Sequence, residues 1–142
     1  MKKTLLAVVL SISCSATAAD LASSIQQDYQ QHLGALFKHF HQHPELSHME
    51  TQTAKRLAKE LRAAGFDVTE GVGKTGVVAM LKNGPGPLVM MRADMDGLPV
   101  EEKSGLAYAS KAKQTDWDGN EVYVMHACGH DVHITSLVGT AR

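Results

Sequence analysis

Cysteine is nearly absent from this 142-residue sequence, with Cys14 and Cys128 the only two. Aromatic residues make up 5% and no basic run occurs, so the cationic and stacking surface of a nucleic-acid binder is missing. Long apolar runs are missing too. The most apolar stretch, Leu5 to Ile12, is far too short to span a bilayer as an ordinary helix. What remains is the composition of an ordinary globular domain, which carries no chemistry by itself.

The first residues read as an address. Met1-Lys2-Lys3 is a short positive region, Leu5–Ile12 an apolar core, and Ser15-Ala16-Thr17-Ala18-Ala19 a small-residue stretch suited to signal peptidase. This divides the chain into a leader, residues 1–18, and a domain, residues 19–142, with cleavage after Ala18 or Ala19 and a secreted or periplasmic destination. The alternative is a buried N-terminal helix. A lipoprotein reading of Cys14 is poor, because Ser11 stands where a leucine-like residue is wanted. Cleavage would remove Cys14, leaving one thiol and no possible internal disulfide. It would also leave 12 basic residues against 15 acidic ones, a net charge of about −3. A lone cysteine in an exported protein asks for a reason. Metal ligation is one, and packing as a small buried hydrophobe is the other.

The periodicity that follows gives two helices, then strands, then a strand-to-helix unit. Asp20 is placed to cap a helix carrying Leu21, Ile25, Leu33, Leu36, Phe37 and Phe40 at helical spacing, ended by Pro44. Ser47 and Glu50 have the form of a capping box for a second helix reaching Ala64. That helix has Ala54, Leu57, Ala58 and Leu61 on one face, and Lys55, Lys59, Glu60 and Arg62 largely on a solvated one. Gly65 suits a left-handed C-cap. Strands are expected at 66–69, at 76–81 and, as a continuously apolar and hence doubly buried run, at Leu88–Met91. Residues 101–119 look loop-rich, with a turn at 117–120. A last strand at 122–125 leads into a helix from Asp131. The class is α/β.

Chemistry concentrates in Met125-His126-Ala127-Cys128-Gly129-His130-Asp131-Val132-His133. Sulfur and imidazole ligands this close suit zinc, manganese, cobalt or nickel. Cys128 and His130 would diverge on a regular helix, so they converge only where the chain turns, which Gly129 permits. Two ligands do not complete a site, since catalytic zinc takes three protein ligands and water. Asp94 and Asp96, at the end of an apolar run, can ligate or fix a ligand histidine's tautomer; of the two, Asp94 reads as nearer the chemistry. The histidines at 32, 39, 41, 43 and 48 could form a metal-sticky surface, or be solvated polar residues of a helix and loop.

His43-Pro44-Glu45-Leu46, the stretch Met91 to Pro99, and Met125 to Asp131 occur in this order. Together they resemble the amidohydrolase branch of the aminoacylase and carboxypeptidase-G family of binuclear metallohydrolases, over about residues 25–142. The resemblance implies the N-terminal part of a helix-flanked sheet catalytic domain, incomplete and without the family's smaller dimerisation domain. It implies two divalent ions (manganese, zinc, nickel or cobalt). Cys128 would be the bridging ligand and His130 a ligand to one ion, with Asp94 in the supporting place behind them. Arg92 stands where peptidase branches have a ligand histidine. The implied substrates are N-acyl amino acids or small peptide-like amides, and the intact protein is expected to be a homo-oligomer. The family's general-base glutamate and later ligands do not occur within residues 1–142, so no hydrolysis is expected from this chain alone. Two other readings stay open: a non-catalytic remnant with at most weak metal binding, and Cys128 as a nucleophile activated by a neighbouring histidine.

Overall fold

The computed structural model of the chain describes residues 13–142, with packing described from residue 20. Most of the leader, residues 1–12, lies outside the described residues. Helix α1 (Ser13–Asp28) passes straight through Asp20, which is therefore not its cap. Nothing in the alanine-rich stretch before it stops a helix, because alanine is the best helix former. A π-turn, Tyr29–Leu33, then joins α1 to α2 (Gly34–Gln42). The extra residue of such a turn rotates the helical phase by about 100°. This explains why Leu33, Leu36 and Phe40 are buried while Leu21 and Ile25, expected on the same face, stand 62% and 58% exposed.

Helix α2 ends before Pro44, as the sequence predicts, but the next helix does not begin on its expected capping box. Helix α3 (Thr51–Ala63) takes its cap from Glu45, whose carboxylate accepts the amides of Gln52 at 3.1 Å and Thr53 at 2.7 Å. The left-handed backbone of His48 (φ 62°) turns the chain so that Ser47 faces solvent. Glu50 instead accepts the Thr75 hydroxyl at 2.6 Å. At the far end the Phe66 amide reaches the Leu61 carbonyl (3.1 Å) and the Gly65 amide reaches that of Arg62 (3.0 Å). With Gly65 at φ 91°, this is the Schellman ending its glycine announced. Ala54, Leu57, Ala58 and Leu61 are buried as expected. Glu60 is buried as well, contrary to the solvated face predicted for it, because Arg56 and His32 each meet its carboxylate at 2.7 Å. Burial pushes the Glu60 pKa up, but these two partners outweigh it and hold it below the ordinary glutamate value.

Strands β1 (Asp67–Val72) and β2 (Gly76–Met80) form an antiparallel hairpin packed on α3. A second hairpin, β3 (Lys113–Thr115) with β4 (Glu121–Tyr123), closes on a turn in which the Asp116 carboxylate accepts the Asp118 and Asn120 amides. The strand predicted at Leu88–Met91 does not form: these side chains are 58–88% exposed. A run buried on both faces needs neighbours on both, and among the described residues no segment pairs with it. Helix α4 (His130–Ala141) begins one residue before the expected Asp131. Its Ile134 and Val138 complete a core with Leu33, Leu36, Phe40 and Leu57, against which Ala93 and Met95 pack. The architecture is mixed helix and sheet, as the sequence leads one to expect.

Candidate metal centre

Three separate stretches meet at the middle of the molecule through main-chain hydrogen bonds. The Gly97 amide donates to the Glu45 carbonyl at 2.7 Å, placing Leu46 parallel to Gly97. Leu98 and Met125 exchange both of their hydrogen bonds, at 2.8 and 3.0 Å. The His-Pro-Glu-Leu stretch, the Arg92–Pro99 stretch and the Cys-Gly-His-Asp turn are thereby fixed side by side. The expectation that they act together rests on residues that the backbone does bring together.

Past Met125 the chain turns sharply. Gly129 sits at φ 77° and ψ 24°, the left-handed conformation that lets Cys128 stand outside α4 while His130 begins it. Cys128 is a free, exposed thiol. The His130 ring is held from below: Nδ1 lies 3.0 Å from both the carbonyl and the carboxylate of Asp96. Both partners can only accept, so Nδ1 carries the hydrogen and the lone pair is on Nε2. That outer hydrogen bond is the usual support of a metal-ligating histidine, fixing ring and tautomer. The donor set therefore fits a borderline or soft divalent cation, with Cys128 and His130 as the groups that would hold it. Among the described residues no group of three or more His, Cys, Asp or Glu side chains is gathered tightly enough to hold a metal by itself. Asp94 points elsewhere: its carboxylate pairs with Arg92 at an exposed position. The structure thus brings His130 and Asp96 together, leaves Cys128 exposed on the turn before them, and sets Asp94 beside Arg92.

Behind the turn lies an arrangement that no local pattern announces. The His41 ring bridges two carboxylates, with Nδ1 2.7 Å from Asp131 and Nε2 3.1 Å from Glu102. Glu102 and Asp131 are almost fully buried, their side chains only 1% and 4% exposed. Glu102 further accepts the Ser104 hydroxyl and the Ser110 amide. Burial pushes the His41 pKa down, but hydrogen bonds to Asp131 and Glu102 more than reverse this, so the ring's pKa is raised and its protonated form is favoured. For Glu102, burial raises the pKa, yet the hydrogen bonds from Ser104, Ser110 and His41 bring it below the ordinary value. One imidazolium thus ties α2, the 102–110 loop and the first turn of α4. Sequence reading missed it because its members are 61 and 90 residues apart. His126 is different again: it is buried, and neither ring nitrogen has a hydrogen-bond partner. Burial lowers its pKa, with only partial opposition from Asp131.

Comparison with known proteins places this geometry. The fold overlays a Bacillus subtilis structure described as a dinuclear metal binding peptidase from the M20 family, with a TM-score of 0.68 and 35% identity, covering 81% of this chain and 30% of that one. The chain thus shares the fold of part of that structure, and it carries a thiol and an imidazole on the turn after Met125. Residues 90–142 match peptidase family M20/M25/M40. The chain belongs to that family. It is 48% identical over 103 residues to thermostable carboxypeptidase 2 of Saccharolobus solfataricus, covering 71% of this chain and 24% of the relative. It is 46% identical over 103 residues to hippurate hydrolase of Campylobacter jejuni, covering 72% and 24%. The chain therefore spans about a quarter of the length of these relatives.

Proposed function

We propose that the protein carrying this chain is a metal-dependent hydrolase of the amide bond in N-acyl amino acids or small peptide-like amides. The observation that carries the reading is the turn itself: an exposed Cys128 thiol beside a His130 ring whose Nδ1 is tied to Asp96 and whose Nε2 is open. Kinship to a hippurate hydrolase and to a carboxypeptidase supports the substrate class. In this reading Cys128, as the bridging ligand, and His130, as a ligand to one ion, would hold divalent ions, with manganese, zinc, nickel and cobalt all compatible with the donors. Such ions, when bound, polarise the scissile carbonyl and acidify a bound water.

The chain's own part is to position. Gly129 makes the turn between Cys128 and His130, Asp96 fixes the His130 tautomer, and the His41 clamp holds the start of α4 in place. Asp94, which we assign a supporting role, would reach the centre once Arg92 releases it. The remaining ligands and the proton-transfer base must come from residues other than these, so residues 1–142 alone are expected not to hydrolyse hippurate. The intact protein is assigned to the periplasm or the exterior, on the strength of Lys2-Lys3, the apolar run after them and the small residues at 15–19. It is further expected to be a homo-oligomer.

The test uses the whole chain. Zinc or manganese should slow alkylation of Cys128, and His130→Ala should remove that protection. An alkylation rate indifferent to metal would sink the ligand assignment. Hippurate turnover by this chain above a metal-only control would overturn its expected inactivity.

A further inference from the structure

Five histidines fall between residues 32 and 48, and the fold uses them unequally. His32 is engaged with Glu60, and His41 commits both ring nitrogens to carboxylates. His48 stands exposed at its left-handed turn. His39 and His43 remain, at the C-terminal end of α2. Their ring centroids are 4.7 Å apart and the planes are inclined by 32°. The His43 Nδ1–H donates to the His39 carbonyl at 2.7 Å, which sets the tautomer and leaves the Nε2 lone pair outward. This is the backbone-anchored form in which a histidine ligates a metal.

The geometry points to a second cation site, independent of Cys128 and His130, in which His39 and His43 chelate one borderline divalent transition ion such as Cu(II), Ni(II) or Zn(II). His39 lies in the last turn of α2 and His43 follows it as the C-cap (φ −128°, ψ 51°), a bend that folds the His43 ring back beside that of His39 at the end of the helix. The rings border a cleft of about 220 Å³ that also includes Phe40, Pro44, Glu45 and Gln52, leaving room for waters to complete the coordination. Nearby charge permits a cation. Arg56 stands near His39, but its guanidinium is matched by Glu60 at 2.7 Å. Glu45 lies in the same cleft, where its carboxylate contributes negative potential although its oxygens are occupied by the α3 amides. With two nitrogen donors, affinity should follow the usual divalent order, copper above nickel and zinc.

Calorimetric titration of CuSO4 and NiCl2 into the full chain bearing Cys128→Ser isolates this site from the thiol. One equivalent of copper should bind. Adding His39→Gln or His43→Gln should weaken it at least tenfold, while adding His32→Gln or His48→Gln leaves it within twofold. Unchanged metal-free melting of the two glutamine variants shows that they fold. Sub-stoichiometric copper should broaden the ring resonances of His39 and His43 before those of any other histidine. Parental affinity in both glutamine variants, an equal loss from His32 or His48, or broadening centred on another histidine would each overturn the proposal.

Discussion

His41 and His130 both contact aspartate near the start of α4, and they differ in how many ring nitrogens the fold consumes. His41 has both nitrogens on buried carboxylates and nothing left to offer a ligand. His130 has one nitrogen on Asp96 and one open. The first arrangement is structural because every polar atom is answered inside the fold. The second is poised, because its completion must come from outside the ring's present neighbours. Counting uncommitted nitrogens therefore separates a clamp from a ligand when sequence shows only two histidines near acids.

Substitution of the clamp should produce the largest effect. His41→Ala leaves Glu102 and Asp131 buried without their cation, and breaking a buried pair by removing one partner costs about 3–5 kcal/mol. Urea denaturation of the metal-free chain should show it. His130→Ala, by the same measurement, should cost less, about 1–2 kcal/mol, since it removes one contact to Asp96 and not a ring shared by two buried carboxylates. Equal losses would erase the distinction. The same clamp sets a pH window. The raised His41 pKa makes its contribution complete below the unfolded-state histidine value and lost as pH rises through the folded one. The depressed Glu102 pKa makes its contribution complete above the unfolded glutamate value and lost as pH falls through the folded one. Melting temperature should therefore fall on both sides of a mildly acidic to neutral plateau, and His41→Ala should flatten the alkaline side.

A smaller effect sharpens the other half of the comparison. Asp96→Ala frees the His130 ring and should lower zinc affinity about 10–100-fold, as loss of such outer partners does. Asp94→Ala, measured alongside, should change it less, because its carboxylate faces Arg92. Smaller still is Glu45→Ala, which removes the cap of α3 and should cost about 1 kcal/mol. Ser47→Ala should be silent in the same melting experiment. A larger loss from Ser47 would restore the capping box that the sequence suggested.

Much of this was readable beforehand, and the parts that were not share a cause. Gly65 and Gly129 declare themselves because a left-handed residue after or before a helix is a local requirement. The buried face of α3 declares itself by spacing. Local patterns also carried the site as far as Cys128, His130 and the two aspartates. They put Asp94 ahead of Asp96, whereas Asp96 is the carboxylate that meets His130, because that choice depends on how the chain at 94–98 aligns with Met125. The clamp, the burial of Glu60 and the cap from Glu45 escape for the same reason. Each depends on a partner brought in by tertiary packing, and Ser47 and Glu50 made a better local cap than the one the fold uses. Leu21 and Ile25 misled because a π-turn changes helical phase without any sequence mark.

The bare run Leu88–Met91 bears on how the chain behaves in concentrated solution. Four successive apolar side chains, each at least 58% exposed, carry no charge, and among the described residues no strand pairs with their main-chain groups. Such a segment is a template for intermolecular strand addition. Pro85 and Pro87 on one side and Arg92 on the other act as gatekeepers, limiting how far that pairing can spread. Aggregation during expression or refolding should therefore begin here, and a charge at Met90 should relieve it without touching the core.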